Sequence, residues 1–274
     1  MKMYNFSKLI GIIIGLSLIF SCSVTAAVDS GQSSDTDHTP VIITTDLVKN
    51  NIQKFSGLQN QVITYTGTKD FPIGKMYEVT TDTGDRYYVN VNTGDIEVAM
   101  VHNAIPVSTS MTAKDIESIK ESVQKFVEKN YRNFNTKKMV LTDSKIIDHG
   151  DAGNEYVFYW NEMSGEVYTL SSVKVSVYPT LNNTVTYVGF DRPLLVNTIP
   201  HVSQTDAESI ILRTFKMATT ATTSSKLVVI PSGDNQKLVW LVDTVEQDKE
   251  GFSHGGMARV DAISGEVISL DPFI

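Results

Sequence analysis

Trp240-Leu241-Val242-Asp243-Thr244 and, after a polar stretch, Met257-Ala258-Arg259-Val260-Asp261-Ala262-Ile263-Ser264-Gly265-Glu266-Val267-Ile268 carry the pattern from which the rest of the chain is read. Strand-forming residues run up to Ile263, Ser264-Gly265 reverses the chain, and strand-forming residues resume at Glu266. Gly265 suits the left-handed backbone that a tight hairpin turn demands, while Val260, Val267 and Ile268 suit a pleated, half-buried surface. The same grammar stands earlier, in Tyr88-Val89-Asn90-Val91-Asn92-Thr93-Gly94-Asp95-Ile96, where Gly94 matches Gly265, Asp95 matches Glu266 and Asn90 matches Asp261. A weaker copy lies between them, in Val177-Tyr178-Pro179-Thr180-Leu181-Asn182-Asn183-Thr184-Val185, with Asn183 in the glycine position. Asn is the next residue able to take that conformation. The chain reads as a repeat protein.

Each copy closes a longer module. In the first, Thr45 is positioned to cap a helix over Asp46 to Phe55 with Leu47, Ile52 and Phe55 inward. Strands are expected at Val62–Tyr65, Lys75–Thr80, Tyr87–Asn92 and Ile96–Val101. The second opens on Thr112 with Asp115 as a capping-box-like start, followed by Ile116, Ile119, Val123, Phe126, Val127 and Tyr131 on one helical face. Its strands are expected at Met139–Ile147, Tyr156–Trp160, Val173–Tyr178 and Val185–Phe190. The third repeats the recipe: Thr205 with Glu208, a stripe of Ala207, Ile210, Ile211 and Phe215, then strands at Leu227–Ile230, Leu238–Val242, Ala258–Ala262 and Val267–Leu270. Segments around Pro106–Ser110 and Asn197–Ser203, carrying Pro, Ser and Thr, separate the modules. The expected fold class is α+β: two to three tandem units, each one helix packed on its own antiparallel sheet of about four strands. The expected boundaries are 41–105, 106–196 and 197–274.

Ahead of the units, residues 1–27 read as an export signal. Lys2 and Lys8 make a positive start, and Leu9 to Phe20 is an apolar run. A run of about 12 residues suits a signal core and is too short for a mature membrane span. Two cleavage readings stand. Ile19-Phe20-Ser21-Cys22 resembles a lipobox, which would lipidate Cys22, although Phe20 is a poor fit to its position; Thr25-Ala26-Ala27 offers small residues to an ordinary signal peptidase. Residues 28–40, VDSGQSSDTDHTP, read as a flexible tether. The expected location is outside the cytoplasmic membrane, in the envelope or beyond, with a lipid anchor at Cys22 on the membrane's outer face.

Composition narrows the function classes. The net charge is −8 over 274 residues, and no Lys/Arg cluster is dense enough to neutralise phosphates, which argues against nucleic acid as a partner. With Cys22 as the sole cysteine, the folded part has neither a disulfide framework nor a thiolate metal site. Stability must come from packing.

Leu238-Val239-Trp240, Arg259-Val260-Asp261-Ala262 and Ser264-Gly265-Glu266-Val267 resemble the PepSY family, the module of thermolysin-type propeptides and many exported envelope proteins. Tyr77-Glu78-Val79, Tyr87-Tyr88-Val89-Asn90 and Thr93-Gly94-Asp95-Ile96 match it in the first unit. Tyr156-Val157-Phe158-Tyr159-Trp160 with Val173-Lys174-Val175 is similar to divergent PepSY-like units. The departures are the missing turn glycine in the second unit and the insert from Glu246 to Gly256 in the third. The resemblance implies a non-catalytic fold that inhibits or chaperones peptidases. No metallopeptidase domain follows in this chain, which leaves no propeptide role in cis.

Several catalytic motifs lack their context. Gly251-Phe252-Ser253-His254-Gly255 matches the G-x-S-x-G elbow, but a polar run precedes it and a strand follows where a helix is required. Asp82-Thr83-Gly84 copies an aspartic-protease triplet without the second carboxylate that would share its proton, and it sits between two strand patterns as a hairpin turn would. His38, His102, His149, His201 and His254 are scattered, with no H-E-x-x-H. Asp148, Asp151 and Asn154 fall short of a calcium loop's ligand count, and the neighbouring Gly150 and Gly153 suit a polar turn. No metal, cofactor or catalytic residue is expected. Trp160 and Trp240 occupy matching strands and read either as core or as an aromatic platform for an extended peptide. Asn182-Asn183-Thr184 is a glycosylation sequon at a turn.

The expected function is a non-enzymatic, exported PepSY-like protein that binds an extracytoplasmic protein or peptidase through an open sheet edge or face. The rival expectation is a structural envelope lipoprotein without a specific ligand.

Overall fold

A computed structural model describes residues 43–58, 61–71, 74–105, 116–218, 220–233, 235–247 and 253–273. These belong to a unit spanning Pro40–Ile274. The leader, the tether, the Thr112/Asp115 capping box and Pro106–Ser110 lie outside the described residues.

Among the described residues, twelve strands and three α-helices follow the sequence pattern closely. Helix α1 (Thr45–Ser56) is capped by Thr44, whose hydroxyl accepts from Leu47 N at 3.2 Å, so the cap sits one residue before the expected Thr45. Val48, Ile52 and Phe55 face inward, and the chain leaves through Gly57 in the left-handed conformation. Strands β1 (Ile63–Phe71), β2 (Gly74–Thr81), β3 (Arg86–Asn90) and β4 (Ile96–His102) form a meander. Helix α2 (Ile116–Asn130) buries Ile119, Val123, Phe126 and Val127. It leads into β5 (Met139–Asp148), β6 (Asn154–Ser164), β7 (Val167–Tyr178) and β8 (Thr184–Phe190). Helix α3 (Gln204–Phe215) starts at Ser203, whose hydroxyl accepts from Asp206 N and donates to the Asp206 carboxylate, two residues before the expected Thr205 cap. Its strands are β9 (Thr222–Ser232), β10 (Asn235–Gln247), β11 (Ser253–Asp261) and β12 (Val267–Phe273).

The three copies of the turn are built as their residues dictate. The Asn90 side chain accepts from Asn92 N and Thr93 N; the Asp261 side chain accepts from Ile263 N and Ser264 N. Gly94 N reaches Asn90 O at 2.9 Å and Gly265 N reaches Asp261 O at 2.8 Å, with φ of 73° and 78° at the two glycines. In the middle copy Asn183 takes φ 48° and its N–H reaches Pro179 O.

The assembly of these elements differs from the expected one. The strands do not form separate four-stranded sheets, each under its own helix. They join one mixed sheet in the order β1-β2-β3-β4-β8-β7-β9-β10-β11-β12, with β6 also beside β7 and β5 beyond β6. The decisive contact is antiparallel pairing of β4 with β8, from Val98 opposite Val188 to His102 opposite Thr184. The physical reason is that β4 would otherwise end its meander with an unpaired row of N–H and C=O groups, and β8 presents a matching row.

Helices α1 and α2 therefore share a floor. Phe55 of α1, Phe126 of α2 and Tyr187 of β8 meet edge to face with centroids 5.2–6.2 Å apart, and Tyr87 of β3 joins Phe55 at 5.9 Å. One core spans both helices and the strands beneath them, while a second lies under α3. Strand β7 serves both: Val173, Val175 and Val177 pack in the first core and Val167 in the second. The two sheet parts join through one parallel bridge, Tyr168 to Val228.

Candidate functional site

The sheet leaves free strands at its margins. Among the described residues, β1 pairs only with β2, β12 only with β11 and β5 only with β6. Exposed edges invite another strand, and proteins blunt them with bulges, charges and proline. The β1 ladder is interrupted by a bulge at Tyr65/Gly67, and β12 carries Pro272, which has no N–H to offer. The β5 ladder is broken once, at Leu141/Asp143, where the Thr142 hydroxyl turns onto Asn161 at 2.7 Å. Beyond that break Asp143 to Asp148 pairs without interruption with Tyr159 to Asn154, and its other side is free. Val140 and Ile146 of this strand are both 39% exposed, an apolar pair flanking the open backbone.

A cleft of about 380 Å³ lies where β4, the β2–β3 turn and the β7–β8 turn converge. Its buried carboxylate is Asp85, just after the Asp82-Thr83-Gly84 turn. One Asp85 oxygen accepts from His102 N at 3.0 Å and lies 2.8 Å from His102 Nδ1; the other accepts from Thr83 Oγ1 at 3.1 Å and Gln61 Nε2 at 3.4 Å. The contact sets Nδ1 against the carboxylate, leaving Nε2 as the ring nitrogen not held by Asp85. A hydrolytic dyad would require a hydroxyl donating to that nitrogen. Ser56, which also lines the cleft, is instead within hydrogen-bonding reach of Gln61 and Gln53 O, and accepts from Leu58 N. Among the described residues no hydroxyl donates to His102 Nε2. The arrangement holds a turn and shapes a small polar cleft.

The other motifs resolve into turns and strands. Ser253 and His254 begin β11, opposite Gln247 and Glu246 across a hairpin, and no helix follows. Asp148 accepts from Gly150 N at 2.7 Å within a 3₁₀ turn over Gly150–Ala152. Among the described residues no group of three or more His, Cys, Asp or Glu could hold a metal ion. Trp160 stacks near Phe158 and meets Phe134 beneath α2, 3% exposed. Trp240 is 8% exposed in the second core, with its Nε1–H donated to Val202 O at 2.9 Å. Both indoles are core groups, so the aromatic-platform expectation for them is not the arrangement the fold adopts. Asn182 is exposed in the β7–β8 turn and borders the cleft. Cys22 and His38 lie outside the described residues.

A set of charged contacts escaped the sequence reading because its members are far apart in the chain. Glu97, 3% exposed, holds Arg192 in a bidentate pair at 2.6 and 2.9 Å and accepts from Asn90 Nδ2 at 2.8 Å. Lys137 bridges Asp191 at 2.7 Å and Glu162 at 3.1 Å, and its Nζ donates to Ser171. Burial pulls the Lys137 amine down, but its two carboxylate partners outweigh that and hold it above the usual lysine value. This network fixes the segment after β8 to β4, β6 and β7. No motif announces it.

No family model matches the chain, and no curated protein does. Among solved structures the chain is similar to the Bacillus megaterium YpeB C-terminal domain, at 13% identity over 85% of this chain and 98% of that one, with a TM-score of 0.47. Among the described residues no helix is long and apolar enough to cross a membrane.

Proposed function

We propose that the chain is a non-catalytic, exported protein of PepSY-like units that binds an extracytoplasmic protein and thereby inhibits or chaperones a peptidase. An extended segment of that partner adds to the free side of β5. The observation that carries the reading is the uninterrupted ladder from Asp143 to Asp148, paired on one side and open on the other beside exposed Ile146. Main-chain hydrogen bonds would supply affinity there, and Val140 and Ile146 would contribute apolar contacts. The export signal at residues 1–27 and the lipobox at Cys22 support anchoring to the outer face of a membrane. The PepSY character is supported by the residues quoted above and by the shared hydrogen bonding of the Asn90 and Asp261 turns.

The test places a photo-crosslinking amino acid at position 146 of the full chain in intact cells, with position 195, an exposed leucine away from β5, as control. The reading expects one exported protein captured from position 146 and not from 195. Capture of the same abundant envelope proteins from both positions would overturn it in favour of a structural envelope protein without a specific ligand.

A further inference from the structure

The cleft beside Asp85 keeps polar groups in reserve once the fold's own hydrogen bonds are made. His102 Nδ1 lies against the Asp85 carboxylate, and Nε2 has no partner among the described residues. The His102 side chain is 29% exposed, so this nitrogen is not sealed in the core. Asn103 and Asn182 line the same cleft, both exposed and both in the left-handed conformation, with φ of 55° and 56°. Asn103 N donates to Asn183 O at 3.1 Å, which ties the two turns together at the rim. Neither side-chain amide of Asn103 and Asn182 has a hydrogen-bond partner among the described residues. Leu58, 46% exposed, and half-buried Ala104 add an apolar wall.

The cleft holds no unspent charge. Among the described residues no lysine or arginine lines it, and His102, the one group there that can become a cation, already faces a carboxylate. The Asp85 oxygens in turn receive His102 N, Thr83 Oγ1 and Gln61 Nε2 besides the His102 ring. A phosphate or carboxylate would therefore find no free cation, and an ammonium no free carboxylate oxygen. An extended peptide fits no better. Strand addition needs an unpaired backbone, and here β4 is paired on both sides, Met100 with Arg86 of β3 and with Thr186 of β8. The lining matches a neutral molecule with hydroxyl and amide groups along one edge and C–H groups along another. An imidazole nitrogen and two amides offer both donors and acceptors. The volume, about 380 Å³, falls among those of small-molecule sites, roughly 300–1,000 Å³.

We propose that this cleft binds a neutral acetamido sugar, its hydroxyls and amide meeting His102 Nε2, Asn103 and Asn182 while its methyl and C–H groups rest on Leu58 and Ala104. The site shares no residue with the free side of β5 and does not depend on strand addition there. Two sources supply this chemistry, a free saccharide or a unit within a glycan chain.

The full chain carrying ¹³C at histidine Cε1 would be titrated, by NMR, with N,N′-diacetylchitobiose and with its tetrasaccharide homologue. Cellobiose, which lacks the acetamido groups, and an end-blocked dialanine peptide serve as comparisons. The expected result is a saturable shift of the His102 resonance, assigned by its loss in His102→Gln, with the other histidines unmoved. Both acetamido sugars should produce it, cellobiose only weakly and the peptide not at all. Equal affinity for the disaccharide and the tetrasaccharide assigns the free-saccharide source; tighter binding of the tetrasaccharide assigns the glycan chain. Asn103→Gly and Asn182→Gly, which keep the left-handed turns, should each weaken binding about threefold to tenfold, the loss expected for one hydrogen bond. No saturable shift from either acetamido sugar, binding of cellobiose or the peptide as tight as theirs, or full affinity in both asparagine variants would overturn the proposal.

Discussion

Replacing Arg192 by Met tests whether the strands β1–β4 and β5–β8 are one cooperative body. Arg192 follows β8 and Glu97 lies in β4, yet the two join through a bidentate pair at 2.6 and 2.9 Å around a carboxylate that is 3% exposed. Without the guanidinium, Glu97 keeps its bond from Asn90 and remains buried. Removing one member of such a pair costs about 3–5 kcal/mol. Removing both, as Glu97→Met with Arg192→Met, takes the stranded charge away and leaves Asn90 Nδ2 short of an acceptor, a cost of about 1–2 kcal/mol. Adding Glu97→Met to Arg192→Met is therefore expected to recover about 2–3 kcal/mol of the single variant's loss. Urea unfolding followed by tryptophan fluorescence reads this directly, since Trp160 reports the first core and Trp240 the second. In a Trp240→Phe background the Trp160 transition should fall for Arg192→Met and recover most of the loss in the double variant. A loss below about 1 kcal/mol, or a double variant no better than the single, would refute a buried ion pair binding β4 to the end of β8.

The turn copies give further expectations. Burial pushes the Asp261 carboxyl up, but the N–H groups of Ser264 and Ile263 outweigh it and hold the folded value low. A depressed carboxyl contributes stability that is present above about pH 4 and fades as pH falls through the folded value. Asp261→Asn keeps an oxygen for both N–H groups, so its Tm deficit against the native chain should narrow in thermal melts as pH drops from 6 to 2. Gly265→Ala should cost about 1–2 kcal/mol in urea unfolding because of its left-handed φ. Gly94→Ala should cost more, since its methyl would come within 3.3 Å of Leu47 against 3.6 Å from Ile210 at Gly265. Trp160→Ala should destabilise by about 3–5 kcal/mol through its cavity. Trp160→Phe should leave partner capture at position 146 unchanged.

The elements were legible and their assembly was not. Turn residues act over a few positions, so Asn90 with Gly94 and Asp261 with Gly265 announce their hydrogen bonds from sequence alone. The helical stripes were equally local, and Ile119, Val123, Phe126 and Val127 are buried as their spacing requires. Pairing of β4 with β8 joins residues such as Val98 and Val188, and nothing near either one names the other. Three helices over three small sheets and three helices over one sheet have the same local pattern. The charged contacts were hidden for the same reason.

The β4–β8 seam also sets an order of events for a chain that emerges from its N-terminus as it is made. The first meander emerges with its internal ladders made, but the second partner of β4 arrives only with Thr184–Phe190. Until then β4 offers its unpaired backbone to any extended segment nearby, including the same strand of a neighbouring molecule. Closing so long a loop is slow compared with forming a hairpin, so this interval is when misassembly competes most strongly. A molecule with this seam gains rigidity once folded, and it is most in need of protection while only half of it has arrived.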